Sequence, residues 1–305
     1  MGNVSIHETV YGLYGQCVIL TNGIVDLCVT TAVGPRIIRY GFTGQQNEFC
    51  EDATMSLPVG KEDWHLMGGH RLWHSPEAFP RTYEPDNSPV QWEIIEDGVK
   101  IICDATPLAR IKKEMIIQLT PDSSKVRIVH TLINKNAWAV RLAVWALSVM
   151  APGGFEIIPI APREVHYSDG AKGARSVVLW AYTRMNDPRL HWGEKYVIFK
   201  QDATCRDNIK IGFSNEEGWA AYINNNHMFI KKYPYIHGAE YPDHGCSLES
   251  FSIDFMHEIE SLSPLAEVKP DEAINHVEEW ELADHITLDK MDEGDIEQII
   301  QKHIK

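Results

Sequence analysis

The segment from Trp64 to Arg81 holds the densest set of side chains in this chain that could do chemistry. It reads Trp-His-Leu-Met-Gly-Gly-His-Arg-Leu-Trp-His-Ser-Pro-Glu-Ala-Phe-Pro-Arg. Tryptophan faces can stack on the C–H surface of a polyhydroxylated small molecule, while arginine, histidine and glutamate can hydrogen-bond its hydroxyl groups. The pair Gly68-Gly69 lets the backbone turn sharply or approach a ligand closely. We therefore expect a loop that faces a pocket with the side chains of His70, Arg71 and His74.

This segment also has a purely structural interpretation. In that case His65 and one tryptophan pack in a core or an interface, and the arginines pair with Glu77 or Glu84. Trp145 is a separate candidate for the site, and it lies in an apolar run from Leu142 to Met150. Such a run is typical of a strand buried on both faces, so Trp145 belongs to the core unless its strand opens to a cavity.

A second group of candidate residues follows Tyr233 and leads into a strand. His237 and Asp243 lie in a loop rich in aromatic residues, and Glu249 comes next in the strand. A carboxylate on a rigid strand beneath such a loop can be desolvated, which raises its pKa toward the range of a general acid or base. The alternative is that Glu249 forms an ion pair with an arginine on the same sheet face.

Other motifs narrow the possible chemistry. The chain has no dinucleotide-binding fingerprint and no phosphate-binding glycine loop, so we expect no nucleotide cofactor. The run His257-Glu258-Ile259-Glu260-Ser261 begins like a zinc-protease motif, but it lacks the second histidine and lies in a strand-like context. No two histidines show a His-x-His spacing. We therefore expect no cofactor and no bound metal.

Composition excludes several classes of partner. The formal net charge is −15, which argues against nucleic acid and against an anionic membrane surface. No stretch reaches the roughly 18 apolar residues of a membrane-spanning helix, and residues 1–7 do not resemble a signal peptide. The six cysteines are scattered singly, which does not suit a disulfide scaffold. We expect a cytoplasmic protein.

Turn signals predict an all-β architecture. Apolar runs flank Asn22-Gly23, Asp97-Gly98 and the segment 120–124, and each arrangement is typical of a hairpin. Helical spacing of apolar residues is convincing only over Asp292–Ile304. We therefore predict one β-sandwich domain over residues 1–290, followed by a helical tail over residues 291–305.

A set of segments stands in a distinctive order along the chain, namely Gly34–Ile37, Glu48–Asp52, Gly68–Trp73, Trp145–Gly154, Tyr241–Cys246, Leu262–Leu265 and His276–Trp280. In this order they resemble the galactose-mutarotase-like superfamily, which includes aldose 1-epimerases. The resemblance implies a large twisted antiparallel β-sandwich whose concave sheet binds sugars. In that family a glutamate takes the proton of the anomeric hydroxyl and a histidine protonates the ring oxygen.

The resemblance also suggests roles for individual residues. Glu249 falls where the family's base would lie, and His70 resembles its substrate-binding histidine. The family's acid histidine should fall within Leu142–Met150, but Trp145 stands there instead. The acid would then be His74 or His237, which would supply the proton from another direction.

These observations together predict a sugar epimerase or mutarotase that acts on a monosaccharide or a sugar acid. Its catalytic residues would be Glu249 as the base and His74 or His70 as the acid. Substrate binding is assigned to Arg71, Trp73, Trp145, His237 and Asp243. The missing histidine leaves open a non-catalytic carbohydrate-binding or sensing protein on the same fold. A metal-dependent sugar lyase or isomerase that uses the histidines is the third alternative.

Overall fold

Two large antiparallel sheets face each other in the computed structural model, which describes residues 3–161, 175–287 and 292–304. The first sheet has twelve strands and the second has ten. An eleven-residue helix lies near the C-terminus. The predicted antiparallel β-sandwich with a short C-terminal helix is thus confirmed.

The strands are β1 (Ser5–Val10), β2 (Gln16–Thr21), β3 (Val25–Thr30), β4 (Arg36–Phe42), β5 (Glu51–Val59), β6 (Glu62–Ser75), β7 (Gln91–Ile95), β8 (Gly98–Cys103), β9 (Ile111–Leu119), β10 (Val126–Asn134), β11 (Val140–Met150), β12 (Phe155–Pro159), β13 (Val177–Leu179), β14 (Leu190–Trp192), β15 (Tyr196–Lys200), β16 (Ile209–Phe213), β17 (Trp219–Asn224), β18 (His227–Lys232), β19 (Leu248–Ile253), β20 (Met256–Leu262), β21 (Ala266–Val268) and β22 (Ala273–Ala283). The helices are α1 (Pro242–Gly245) and α2 (Glu293–His303), and a 3-10 turn spans Gly12–Tyr14. Neither helix is long and apolar enough to cross a membrane.

Neighbouring strands in the first sheet follow the order β1-β2-β3-β4-β6-β11-β20-β19-β16-β13, with β5 added on β6 and β21 on β11. The second sheet has the order β14-β15-β12-β17-β18-β22-β10-β9-β8-β7. All three predicted hairpins are present as the antiparallel pairs β2–β3, β7–β8 and β9–β10. In the first hairpin the side-chain oxygen of Asn22 accepts hydrogen bonds from the backbone N–H groups of Ile24 and Val25, which fixes the turn.

Strand β6 covers most of the segment that the sequence predicts to be a loop. Its first half pairs with β5 and its second half with β4 and β11. Between the halves, Met67, Gly68 and Gly69 have φ values of 61°, 80° and 66°. A Cβ atom on Gly68 would lie 2.0 Å from the carbonyl oxygen of Cys50, so only glycine fits there. The expectation of a loop is wrong because the glycines redirect the strand and do not end it.

The main hydrophobic core lies between the two sheets, and smaller clusters lie on their outer faces. On the second sheet, α2 buries Ile296 and Ile300 against strands that include Ile157 and Trp219. On the first sheet, an aromatic cluster around Trp73 and Trp145 is only partly covered, by the β5–β6 hairpin. The predicted domain boundary between residues 290 and 291 lies outside the described residues.

Candidate functional site

An open cleft of about 150 Å³ lies over this aromatic cluster, on the outer face of the twelve-stranded sheet. Its floor is set by the strand register. Arg71 lies opposite Leu147, which lies opposite Glu260, which in turn lies opposite Glu249. Residues opposite each other on neighbouring strands share a sheet face, so four strands contribute side chains to one row. Glu258 lies on the same face, two residues before Glu260 along β20.

Aromatic rings form one wall of the cleft. The ring of Trp73 lies 5.4 Å from that of Trp145, 5.6 Å from that of Trp64 and 5.1 Å from that of Tyr83, measured between centroids. These spacings are normal for tilted and edge-to-face contacts. Trp64 lies in the first half of β6, before the bend at Gly68-Gly69. It reaches the wall because that bend folds the first half of the strand over the sheet. The wall therefore depends on the redirection of β6.

Arg71 lies against this wall and forms an ion pair. Its Nη2 atom donates to Glu258 Oε1 at 2.8 Å, and its guanidinium carbon lies 4.4 Å from the centroid of Trp73. Burial raises the pKa of Glu258, the negative charge of Glu260 raises it further, and the positive charge of Arg71 opposes both. The Nε and Nη1 atoms of Arg71 are buried and have no hydrogen-bond partner.

Lys210 links two carboxylates at the other side of the cleft. Its Nζ atom lies 2.8 Å from Glu249 Oε2 and 2.8 Å from Glu260 Oε2. The ammonium group also lies 4.6 Å from the ring centroid of Trp145 and 4.8 Å from that of Trp180, within cation–π range. Burial alone would lower the pKa of Lys210, but the attraction of the two carboxylates outweighs it and raises that pKa well above its usual value.

The two carboxylates differ in their access to the cleft. Glu260 lines it, accepts a hydrogen bond from Trp145 Nε1 at 2.8 Å, and keeps a buried Oε1 atom with no partner. Glu249 lies beside the cleft, next to Lys210. Burial raises the pKa of Glu249 to about 8; Glu260 and Asp243 add to the shift, and Lys210 opposes it. The carboxyl group with this raised pKa therefore lies beside the cleft.

The structure brings together only some of the residues that the sequence singles out. Arg71, Trp73 and Trp145 line the cleft. His237 lies in an exposed loop, where its side chain is 77% exposed and faces Glu216. Asp243 has a φ of 49° in α1, and its carbonyl oxygen accepts a hydrogen bond from the thiol of Cys246.

The predicted acid histidines lie on the other face of β6. Because side chains alternate along a strand, His70 and His74 point into the sandwich while Arg71 and Trp73 point to the cleft. Burial lowers the pKa of His74 to about 3, and nearby Lys113 contributes. Among the described residues that line the cleft, none is a histidine.

His70 belongs to a hydrogen-bonded network between the two sheets, which we call the interior network. Its Nε2 atom lies 2.7 Å from His130 Nε2, and His130 Nδ1 lies 3.1 Å from the carbonyl oxygen of His276. The carbonyl must accept, so His130 carries its proton on Nδ1 and accepts from His70 at Nε2. His70 Nδ1 then accepts from Ser148 Oγ at 3.0 Å. With both imidazoles neutral, every ring nitrogen of His70 and His130 therefore has a hydrogen-bond partner.

Lys231 and Glu278 complete the interior network. Lys231 Nζ lies 2.8 Å from Glu278 Oε1 and donates to Ser148 Oγ and to the carbonyl oxygens of Ala146 and Ile259. The side chains of His70, His130 and Glu278 have the spacing of a metal site, with ligand atoms within 4.8 Å of one another. The hydrogen bonds and ion pairs of the interior network already explain why these three side chains lie close together.

Sequence reasoning missed Lys210, Glu258 and Glu260 as site residues. The signal for the two glutamates is their spacing, since charged residues two apart in an apolar strand lie on one face. Lys210 interrupts the apolar run Ile209–Phe213 in the same way. A charged side chain within a strand that is otherwise buried needs a partner, and that requirement is the signal.

Comparison with solved structures identifies the fold of this chain. No protein-family model matches the chain, and no curated protein matches it. Solved structures that match at low identity include a proposed aldose 1-epimerase from Klebsiella pneumoniae (TM-score 0.61, 11% identity, 98% of this chain and 86% of that chain), a proposed aldose 1-epimerase from Escherichia coli (0.52, 9%, 92% and 100%) and a galactose mutarotase related enzyme from Lactobacillus acidophilus (0.50, 9%, 89% and 100%). The chain has the galactose-mutarotase-like fold.

The mutarotase-like fold agrees with the resemblance found in the sequence. It accounts for the two large antiparallel sheets. The chemistry of that cleft must be argued from its own residues, because one fold can carry unrelated activities.

Proposed function

We propose that the protein binds a monosaccharide in the cleft of the twelve-stranded sheet. The observation that carries this proposal is a set of buried polar atoms without hydrogen-bond partners, namely Arg71 Nε and Nη1, Glu260 Oε1 and Trp64 Nε1. Buried polar atoms are nearly always paired, so unpaired ones beside an open cleft call for a ligand or water. The hydroxyl groups of a sugar both donate and accept, and can therefore satisfy the nitrogen donors and the carboxylate together.

The shape and lining of the cleft support the same ligand class. A volume of about 150 Å³ suits one sugar ring better than an oligosaccharide. Trp73 and Trp145 line the cleft with apolar ring atoms that can contact the C–H groups of a sugar, and Tyr182 lies at the edge of the cleft. Both cations already have carboxylate partners, so the carboxylate of a sugar acid would find no free positive charge.

Binding can be tested by saturation-transfer NMR with D-glucose and D-galactose. We expect signal transfer to at least one of these sugars from the wild-type protein and its loss in Trp73→Leu. Trp138→Leu is the matched control, because Trp138 is 62% exposed and lies outside the cleft. Equal transfer in both variants would contradict binding in this cleft, and circular dichroism would establish that both variants fold.

A second function, interconversion of sugar anomers, is favoured by the arrangement of Lys210 and Glu260. A free carboxylate oxygen and an ammonium group lie side by side on the cleft, where one can accept a proton and the other can donate one. In this reaction Glu260 takes the proton of the anomeric hydroxyl, Lys210 passes a proton to the ring oxygen and takes one from Glu249, whose pKa is about 8, and the C1–O5 bond breaks. The aldehyde rotates, and the reverse transfers close the ring. This assignment differs from the sequence prediction, in which Glu249 and a histidine share the work.

Anomer exchange can be followed by polarimetry from pure α-D-glucose or α-D-galactose. A positioned acid or base contributes about 10²–10⁴-fold to a rate, so Glu260→Gln is expected to lower kcat at least 100-fold. Glu93→Gln, at an exposed position on β7 in the other sheet, should leave the rate unchanged. A wild-type rate equal to that of buffer alone would eliminate the catalytic function and leave binding.

A further inference from the structure

The charges that line the cleft do not balance. Three carboxylates reach it, those of Glu77, Glu258 and Glu260, against two cations, Arg71 and Lys210. Arg71 is paired with Glu258, and Lys210 is shared between Glu260 and Glu249. Each cation thus has at least one carboxylate, and the carboxylate of Glu77 is left over.

Glu77 lies at the rim of the cleft, beside the aromatic wall. Its Oε1 atom accepts a hydrogen bond from the Tyr83 hydroxyl at 2.5 Å, and within the described residues it has no cationic partner. Tyr83 in turn contacts the rings of Trp64 and Trp73 at 5.3 and 5.1 Å between centroids. A carboxylate next to aromatic faces is the combination that recognises an ammonium group, through an ion pair and cation–π attraction.

A second, independent observation supports a ligand at this place. Glu260 is fully buried, lines the cleft, and has an Oε1 atom without a partner. A ligand in the cleft can supply the missing hydrogen-bond donor to Glu260, while the rim offers a negative charge. A group that carries several N–H donors and a positive charge satisfies the rim better than a neutral hydroxyl group does.

We propose that the preferred ligand is an amino sugar, whose protonated amine lies between the Glu77 carboxylate and the aromatic wall. This inference rests on the proposed sugar-binding function and narrows its ligand class. A neutral hexose fills the same cleft without the ion pair. An N-acetylated sugar loses the charge, and a uronate places a carboxylate near Glu77.

Competition among matched sugars tests the inference. The probes are D-glucosamine, D-glucose, N-acetyl-D-glucosamine and D-glucuronate, with the corresponding galactose series, titrated by NMR at about pH 6.5, where an amine is protonated. We expect the amino sugar of at least one series to bind about ten times more tightly than its neutral and N-acetylated counterparts, and the uronate to bind most weakly. Equal affinity of the amino and neutral sugars in both series would overturn the inference.

A variant pair locates the effect. In Glu77→Gln the ratio of amino-sugar to neutral-sugar affinity is expected to fall from about ten to about one. In Glu93→Gln, a matched loss of one exposed carboxylate on the other sheet, the ratio should stay at about ten. A ratio that survives in Glu77→Gln would show that the rim does not recognise the amine. If no sugar of either series binds, the proposed function fails as well; if neutral sugars bind and the amine adds nothing, only this inference fails.

Discussion

Two lysine–glutamate pairs in this molecule have almost the same geometry and opposite surroundings. In the interior network Lys231 lies 2.8 Å from Glu278, and at the cleft Lys210 lies 2.8 Å from Glu260. Lys231 has three further hydrogen-bond acceptors, and neither it nor Glu278 has a buried side-chain atom without a partner. Glu260 keeps an unpaired oxygen. A buried charge therefore does not by itself mark a binding site; the cleft pair differs because it combines an unpaired oxygen with a position on an open cleft.

The pKa values of the two lysines shift in opposite directions. Burial lowers the pKa of Lys231 despite the attraction of Glu278. The pKa of Lys210 rises, because two carboxylates share it. The interior network thus disfavours the charged form of Lys231, whereas two carboxylates at the cleft favour the charged form of Lys210. Stability experiments should separate the two regions.

The largest effect is expected from acid. Burial lowers the pKa values of His130 and His276 to about 3, and that of His70 falls well below its usual value. In the unfolded chain these histidines titrate near 6.5, so their neutral forms stabilise the fold above that pH, and the stability is lost as the pH falls toward 3. Each should lower the free energy of unfolding by up to about 1.4 kcal/mol per pH unit.

Urea unfolding between about pH 7 and pH 4 measures this slope. His130→Asn should reduce this slope by the contribution of one titrating histidine, which is up to about 1.4 kcal/mol per pH unit. His237→Asn, at an exposed histidine, should leave it unchanged. A free energy of unfolding that stays constant from pH 6 to pH 4 would contradict the account of the interior network.

Removing each lysine gives the next largest effect. Lys231→Met leaves the buried carboxylate of Glu278 without its cation, which typically costs about 3–5 kcal/mol. Lys210→Met should cost less than half as much, since Glu249, with a pKa of about 8, can keep its proton and hydrogen-bond to Glu260. Chemical unfolding of both variants at neutral pH makes the comparison. Equal losses would mean that the two pairs are energetically alike.

A smaller effect isolates the unused donors of the cleft. Arg71→Lys keeps a positive charge beside Glu258 but removes the unpaired Nε and Nη1 atoms. Sugar affinity is expected to fall about tenfold, the equivalent of about 1.4 kcal/mol, while the free energy of unfolding changes by less than about 1 kcal/mol. Arg141→Lys, at an exposed arginine, serves as the control. Unchanged affinity in Arg71→Lys would mean that those donors do not contact the ligand.

The smallest effect concerns Glu249. Its folded pKa of about 8 lies above the usual 4.5, so the protonated form stabilises the fold at low pH, and that stability is lost as the pH rises toward 8. Glutamine resembles the protonated form and does not titrate. Relative to the wild type, Glu249→Gln should therefore gain about 1 kcal/mol between pH 6.5 and pH 7.5 in urea unfolding. A difference that does not vary with pH would show that Glu249 is ionised throughout.

Much of the fold could be predicted from the sequence because its signals are local. Asn22-Gly23 and Asp97-Gly98 fix hairpin turns through backbone conformations that few residues adopt. The pair Gly68-Gly69 predicts a sharp turn, and the structure has one. What fails is the element around it, since the pairing of its second half with β4 and β11 is long-range and leaves no local signature.

The candidate site was predictable only in part, for the same reason. Once residues 62–75 are known to form a strand, the two-residue period assigns Arg71 and Trp73 to one face and His70 and His74 to the other. Treated as a loop, the segment offers all four side chains to the same pocket. The cluster of Lys210, Glu258 and Glu260 brings together β16 and β20, which both pair with β19 in registers that no motif encodes.

Helix α2 has a practical consequence for measuring weak sugar binding. It covers the outer face of the ten-stranded sheet, so the C-terminal end of the described chain lies on the side of the sandwich opposite the cleft. A biotin or a solid support attached through the C-terminus would hold the protein with the cleft toward the solution. Immobilised in this orientation, the protein could report millimolar ligands without steric interference from the sensor surface.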